Sequence, residues 1–380
     1  MQKRISVLIH SPQLEKYQYP PDCPFNISRA GKTRKILDSM GLLSGEGRSE
    51  AAPEPADRRV LKKFHSERYL DALKAAGKGK LDIEALHMGI GGPDCPIFKG
   101  VYDYSVLACG ATLTGANLIL SGSADVAFNL SGGFHHAGPE LASGFCYIND
   151  VALACMVLAE NGKRVLYLDV DVHYGDGVAN AFYDRNDIMT ISFHESPKTL
   201  FPGTGFEEEI GRGEGRGYCV NVPLPVGTYD KVYMKAFKAI AIPLIKAFNP
   251  DVIVFELGAD GLAGDPLAHL CLTNNVYVEI IEYLMSLNKP ILATGGGGYH
   301  IDNTVRAWAL AWSVFCGADS ESEHAMHVGH GGVMLESTDW QGGLRDRELI
   351  VSKQQSIAVI SQAEATINTI KANVFPIHGL

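Results

Sequence analysis

The stretch Val165-Leu-Tyr-Leu-Asp169-Val-Asp171-Val-His173-Tyr174-Gly-Asp176-Gly177 decides how this chain is read. It opens as an apolar, β-branched run of the kind that fills a strand buried on both faces. It then spaces three ionisable residues two apart, so that Asp169, Asp171 and His173 share one face of the strand and its exit. Three such groups on a buried strand are badly desolvated without partners. A metal cation relieves that cost, because carboxylates and neutral imidazole are good ligands for zinc and related ions. A helix cap or a satisfied ion pair would account for a lone Asp, but not for all three.

Working outward, Val126–Leu130, Ile188–Phe193, Val252–Leu257 and Pro290–Thr294 repeat the apolar strand pattern. Helical patterns separate them at Asn149–Glu160, Tyr229–Phe248, Asn275–Asn288 and Asn303–Phe315. Strands alternating with helices predict βαβ units and a mostly parallel sheet covered on both faces, an α/β fold. The run Ile5–Ile9 follows Met-Gln-Lys-Arg as a signal peptide would, but it is too short and lacks a cleavage site, so it reads as a first strand. Polar residues near Gly45–Arg59 read as a surface loop. The segment from about Ala318 to Glu348 is irregular, and a helical pattern resumes over Ile350–Ala372.

Composition narrows the class. With 380 residues and 46% hydrophobic content the chain can cover a large core. A net charge of −10 is poorly suited to non-specific nucleic-acid binding and would draw cationic substrates. The eight cysteines show no CxxC pair, so a reducing cytoplasm is the expected compartment. No apolar stretch is long and clean enough to span a bilayer.

Ligands of open α/β sheets bind outside the carboxyl ends of the strands, and each strand candidate here ends in polar or glycine-rich sequence. After Val252–Leu257 comes Gly-Ala-Asp260-Gly261, which supplies either a third metal ligand or an Asp-Gly turn. After Val126–Ser131 come Gly132-Gly-Phe-His135-His136, read as a proton-transfer pair in preference to a structural pair or extra ligands, with Asp169 and Asp176 as acidic partners. After Pro290–Thr294, four glycines precede Tyr299, whose hydroxyl can donate to a developing oxyanion. The same glycines could cradle phosphate, but the P-loop Lys-Ser/Thr is absent. Phe145 and Phe201 read as core or as walls of a narrow channel, and Asp94 as a solvated loop acid.

These residues also resemble the histone deacetylase superfamily. The resemblance rests on Ser131-Gly-Gly-Phe-His135-His136-Ala, Gly144-Phe145-Cys-Tyr-Ile-Asn149-Asp150, Asp169-Val-Asp171-Val-His173, Leu257-Gly-Ala-Asp260, Ala263-Gly-Asp-Pro266 and Gly295–Tyr299, in family order over roughly residues 5 to 316. Pro24-Phe-Asn-Ile-Ser-Arg29 and the tail Trp340-Gln-Gly-Gly-Leu-Arg look like its bacterial acetoin-utilisation branch. The resemblance implies the arginase/deacetylase fold with a central eight-stranded parallel sheet. The chain itself reads as a single domain, its core over about residues 1–317 and residues 318–380 an appendage packed on it, since nothing in that tail looks like a second core. It implies Asp171, His173 and Asp260 as ligands of zinc, or of Fe(II). His135 and His136 would pair with Asp169 and Asp176, and Tyr299 would polarise an acetyl carbonyl. Asp94, Gly144, Phe145, Phe201 and Leu267 would contact substrate, and Arg29 would lie near an acetate-release cavity. A structural potassium ion would sit on backbone carbonyls around Asp169, Asp171, His173 and Phe193, with Ser192. Two positions depart from the family: Tyr174 stands where a second histidine is common, and His300 where asparagine is.

The expected reaction is hydrolysis of an N-acetylated amine, acetyl-lysine in a protein first and small acetylpolyamines second. An arginase-like two-manganese site fits less well, since only one full ligand set is evident. A catalytically silent binding protein would be expected to have lost a ligand or the tyrosine. No nucleic-acid or membrane partner is expected, and homo-oligomer formation is left open.

Overall fold

Each apolar run read as a strand forms one in the computed structural model, which describes residues 4–318 and 343–380. The strands are β1 (Ser6–Ile9), β2 (Arg48–Ala51), β3 (Val126–Asn129), β4 (Val165–Asp169), β5 (Ile188–Glu195), β6 (Cys219–Leu224), β7 (Val252–Glu256) and β8 (Ile291–Thr294). They form one eight-stranded sheet in the order β2-β1-β3-β8-β7-β4-β5-β6. Every pairing is parallel. Strands β3 to β8 are buried throughout, so both faces must be covered. Helices Val101–Leu120 and Asp150–Glu160 lie in one apolar cluster. Helices Asp230–Phe248, Asn275–Ser286 and Ile301–Phe315 lie in the other.

Side chains alternate faces along each strand, so Leu166 and Leu168 join one cluster while Val165 and Tyr167 join the other. Helix Ile301–Phe315 contributes two fully buried tryptophans, whose indole N–H groups are both satisfied. Trp308 donates to Leu257 O beneath the candidate site, and Trp312 donates to Leu42 O, each at 2.8 Å.

The structure corrects the expected loop at Gly45–Arg59, because Arg48–Ala51 is a strand pairing Ser6 with Arg48 through Ile9 with Ala51. Its Arg-Ser-Glu-Ala sequence has no apolar alternation to show this. It is outermost and partly exposed, so main-chain pairing with β1 defines it rather than side-chain burial. Strand β6 and helix Val101–Leu120 were also unread. Of the irregular stretch Ala318–Glu348, residues 319–342 lie outside the described residues, and with them Trp340 to Gly342 of the tail motif. Helix Lys353–Asn373 packs on helix Asp230–Phe248 and β6. Its Val359, Ala363, Ile367 and Ile370 join the core. Among the described residues, no helix is long and apolar enough to cross a membrane.

Candidate metal centre

Five neighbouring strands, β3-β8-β7-β4-β5, send their C-terminal loops to one place. The chain leaves β4 at Asp169, earlier than the predicted Val172, and this divides the three polar residues of the opening stretch between two clusters. Asp171 and His173 meet Asp260 from the β7 loop, with ligand atoms within 4.8 Å of one another. Asp169 joins His135 and Glu256 in a second buried group.

In the first cluster, Asp171 Oδ2 accepts the Gly297 N–H at 2.6 Å and Asp260 Oδ1 accepts the Val172 N–H at 2.9 Å. Their other oxygens face His173 Nδ1, at 3.3 Å from Asp171 Oδ1 and 2.9 Å from Asp260 Oδ2. Burial disfavours charge on all three. Even so, hydrogen bonds that Asp171 and Asp260 accept from its ring raise His173 to about 10, and the charges of His135 and His173 hold Asp171 well below the carboxylate range. Burial and the Asp171 charge push Asp260 up to about 7. Two carboxylates buried this close together need a compensating positive charge between them. Their converging oxygens and the imidazole nitrogen are a donor set that a divalent cation fits. A Cβ at Gly297 would collide with Asp260 Oδ2, so only glycine lets the β8 loop close over this acid.

The tandem histidines lie beside this set. His135 Nδ1 is 3.0 Å from Asp169 Oδ2 and 3.0 Å from Glu256 Oε1, while His136 Nδ1 is 2.8 Å from Asp176 Oδ1. The two Nε2 atoms face each other at 3.0 Å. Their electrostatics diverge. Burial opposes charge on His135, but Glu256, Asp169 and Asp171 outweigh it and hold its pKa well above the usual histidine value. Burial and the neighbouring His135 charge lower His136 to about 4. Tyr167 links the acids behind His135, its hydroxyl 2.6 Å from Asp169 and 2.7 Å from Glu256.

The remaining predicted residues surround this centre. Tyr299 packs its ring 6.3 Å from His173 and 5.7 Å from Phe145, and burial with the nearby Asp260 and Asp171 raises its hydroxyl well above 10. Phe201 lies 4.9 Å from the His136 ring and is 44% exposed, a wall reaching from the site to solvent. Phe145 holds φ +64°, a strained value for a bulky residue, fixed by Asp94 O on its N–H and by Tyr19 on its carbonyl. Asp94 Oδ2 accepts the Gly144 N–H at 2.9 Å. Gly144 has φ +54°, and a Cβ there would collide with the His136 ring. Leu267 donates its N–H to Asp265, whose other oxygen accepts Tyr299 N–H. Arg29 is buried under the glycine run, donating to Gly298 O and Gly296 O and stacking over Phe25 and Trp308. Ser192 is the register partner of Asp169, and its hydroxyl pairs with His194 Nδ1 at 2.9 Å.

The two departures have local roles. Tyr174 is buried against His194, ring centroids 4.9 Å apart, with its hydroxyl toward Cys219. His300 caps helix Ile301–Phe315 by accepting the Asn303 N–H. Sequence reading missed Glu256, Tyr167, Asp265 and Glu195. Glu256 carried a usable signal, since an acid ending an apolar strand needs a partner.

Residues 23–315 match the family described as histone deacetylase domain. Acetoin utilization protein AcuC of Bacillus subtilis is 40% identical over 328 residues, covering 84% of each chain. Histone deacetylase 8 of Xenopus tropicalis is 39% identical over 301 residues, 79% of this chain and 81% of that protein. Histone deacetylase 3 of rice is 39% identical over 85% of this chain, which spans only 63% of the rice protein's length. Among solved structures, a histone deacetylase homolog from Aquifex aeolicus superposes with TM-score 0.83 at 32% identity, covering 95% of this chain and 100% of that one. The sheet, the clustered acids and histidines and these likenesses agree: the chain belongs to the histone deacetylase family.

Proposed function

We propose that the protein is a metal-dependent deacetylase that hydrolyses N-acetylated amines, acetyl-lysine foremost. The observation that carries this reading is the pairing of a converged Asp171–His173–Asp260 donor set with two histidines of opposite charge preference. A divalent cation held there, zinc or Fe(II), supplies Lewis-acid chemistry that polarises a carbonyl and acidifies water. His136 is neutral near pH 7 and is the base that takes the proton of the attacking water, while Asp176 holds its Nδ1. His135, kept cationic by Asp169 and Glu256, stabilises developing negative charge, and the facing Nε2 atoms keep a proton within reach of either ring. Tyr299 donates its hydroxyl to the oxyanion of the tetrahedral intermediate. A histidine then protonates the departing amine. Phe145, Phe201, Gly144 and Leu267 would enclose the aliphatic stem of the substrate, Asp94 would hold the rim, and Arg29 would sit near the released acetate.

On the same reading, the carbonyls around Asp169, Asp171, His173 and Phe193, with Ser192, hold a structural potassium ion. The whole chain is one deacetylase domain, with the residues after 317 as an appendage. Eight free cysteines support a cytoplasmic setting. The test is a substrate panel on metal-reconstituted enzyme with a chelator control, spanning acetyl-lysine peptides, acetylated polyamines and longer acyl chains. Chelator-sensitive release of acetate from the peptides is expected. Turnover of acetylpolyamines alone would replace acetyl-lysine as the substrate, and no turnover of any member would overturn the deacetylase reading.

A further inference from the structure

Glu195 ends β5 with a fully buried carboxylate, and none of the roles above uses it. Burying a carboxylate is costly unless donors surround it. Here the donors come from two different loops. Thr199 Oγ1 donates to Oε1 at 3.0 Å, from the loop that carries Phe201. The His269 N–H donates to Oε2 at 2.8 Å, and its Nδ1 lies 2.9 Å from Oε1, from the loop that carries Leu267. The Leu267 loop is already fixed at its other end, where Asp265 accepts the N–H groups of Leu267, Tyr299 and His300. Glu195 itself is anchored, because its N–H donates to Val172 O, beside His173.

We propose that Glu195 is a positioning residue that sets the spacing of the Phe201 and Leu267 walls, and thereby selects unbranched aliphatic stems over wider ones. The proposal rests on the deacetylase reading for its substrate, and on hydrogen bonds alone for the anchor. Both loops are otherwise surface segments: Phe201 and His269 are exposed. The strand-end carboxylate ties the two loops to one point, placed relative to His173.

The chemistry separates geometry from charge. Thr199 and the His269 ring can each donate or accept, whereas the His269 N–H can only donate. A glutamine at 195 can accept from that N–H with its oxygen and donate to the other two with its amide. Glu195→Gln is therefore expected to keep the walls in place, and Glu195→Ala to release them.

Two measurements on the full-length, metal-loaded protein test this. Hydrogen exchange at the His269 amide is expected to rise about tenfold in Glu195→Ala, the size of one lost hydrogen bond, and to stay near wild type in Glu195→Gln. The ratio of kcat/KM for an acetyl-lysine peptide to that for a 4-(acetamidomethyl)phenylalanine peptide is expected to fall several-fold in Glu195→Ala through KM, with kcat little changed, and to recover in Glu195→Gln. Thr199→Val, which exchanges only the hydroxyl for a methyl of similar size, provides a milder version should the Glu195→Ala protein fail to fold. Unchanged exchange would overturn the anchor. Faster exchange with an unchanged selectivity ratio would overturn the specificity role. A wild-type protein inert toward both peptides would overturn acetyl-lysine as the substrate, and with it the specificity role, while the exchange experiment still judged the anchor.

Discussion

Tyr299 illustrates how single residues acquire their chemistry from position. Burial, with Asp260 and Asp171 close by, keeps its hydroxyl protonated through the neutral range, so it is a donor and not a base. Tyr299→Phe removes the donor but none of the converged metal-site atoms. Turnover is expected to drop about 10²- to 10³-fold with metal content unchanged, as checked by steady-state kinetics and elemental analysis of one preparation. Near-wild-type turnover would remove Tyr299 from the mechanism. At this scale the sequence was informative where an acid or histidine interrupts an apolar strand end, as at Asp171, His173 and His135. It was silent where a role depends on a neighbour far along the chain. Glu256 stands beside Asp169 because β7 pairs with β4, the His135 loop after β3 reaches both acids only through the sheet order, and Glu195 meets His269 only through the fold.

The start of helix Asp150–Glu160 shows the same dependence among elements. Asn149 caps it by accepting the Ala152 N–H, and donates to the carbonyls of His135 and Ala137. Asp150, fully buried, accepts the N–H groups of Gly133 and Phe134 and the Thr112 hydroxyl. The helix N-terminus thus holds the backbone of the tandem-histidine turn. Asp150→Ala would leave three buried donors unpaired and is expected to cost about 2–4 kcal/mol, measured as a lower urea midpoint at unchanged slope. Behind this cap, His65 Nε2 accepts the Asn149 N–H at 3.0 Å, and burial lowers His65 to about 4 from an ordinary 6.5. The unfolded chain therefore binds this proton first, so stability is full above pH 6.5 and declines as pH falls toward 4. The loss from this one group is about 3 kcal/mol. His65→Gln, which keeps an acceptor, is expected to flatten denaturation midpoints across that window. An unchanged slope would show that other groups govern acid sensitivity. The helix at 150–160 was readable from periodicity. Its hold on the histidine turn was not, because hydrogen bonds between backbone and side chain leave no periodic trace.

At the scale of the whole molecule, the parallel architecture followed from the alternation of apolar runs and helices, while the two outermost strands did not. β2 is too polar to read as a strand, and Asn221 and Pro223 interrupt the apolar run of β6. The three candidate metal donors come from the loops after β4 and β7, while the β8 loop closes over them, so a cation held there would couple the central strands. A cation bound to the folded state alone stabilises it by mass action, by about 4 kcal/mol at a thousandfold excess over Kd. Chelation is expected to lower the melting temperature by several degrees and zinc to restore it, as followed by calorimetry. An unshifted transition would mean that these donors hold no metal under the conditions used.

The outer boundaries of the sheet have a consequence for how copies of the molecule behave toward one another. A parallel sheet that stays open leaves a row of unsatisfied main-chain groups at each side, a template on which other chains add strands and aggregate. On one side, β2 presents charge, with Arg34 paired to Glu50 across it. On the other, Pro223 removes a donor from β6, and helix Lys353–Asn373 lies across the strand with Thr366 bonded to the Pro223 carbonyl. The C-terminal helix therefore covers an edge on which a strand of another chain could otherwise add.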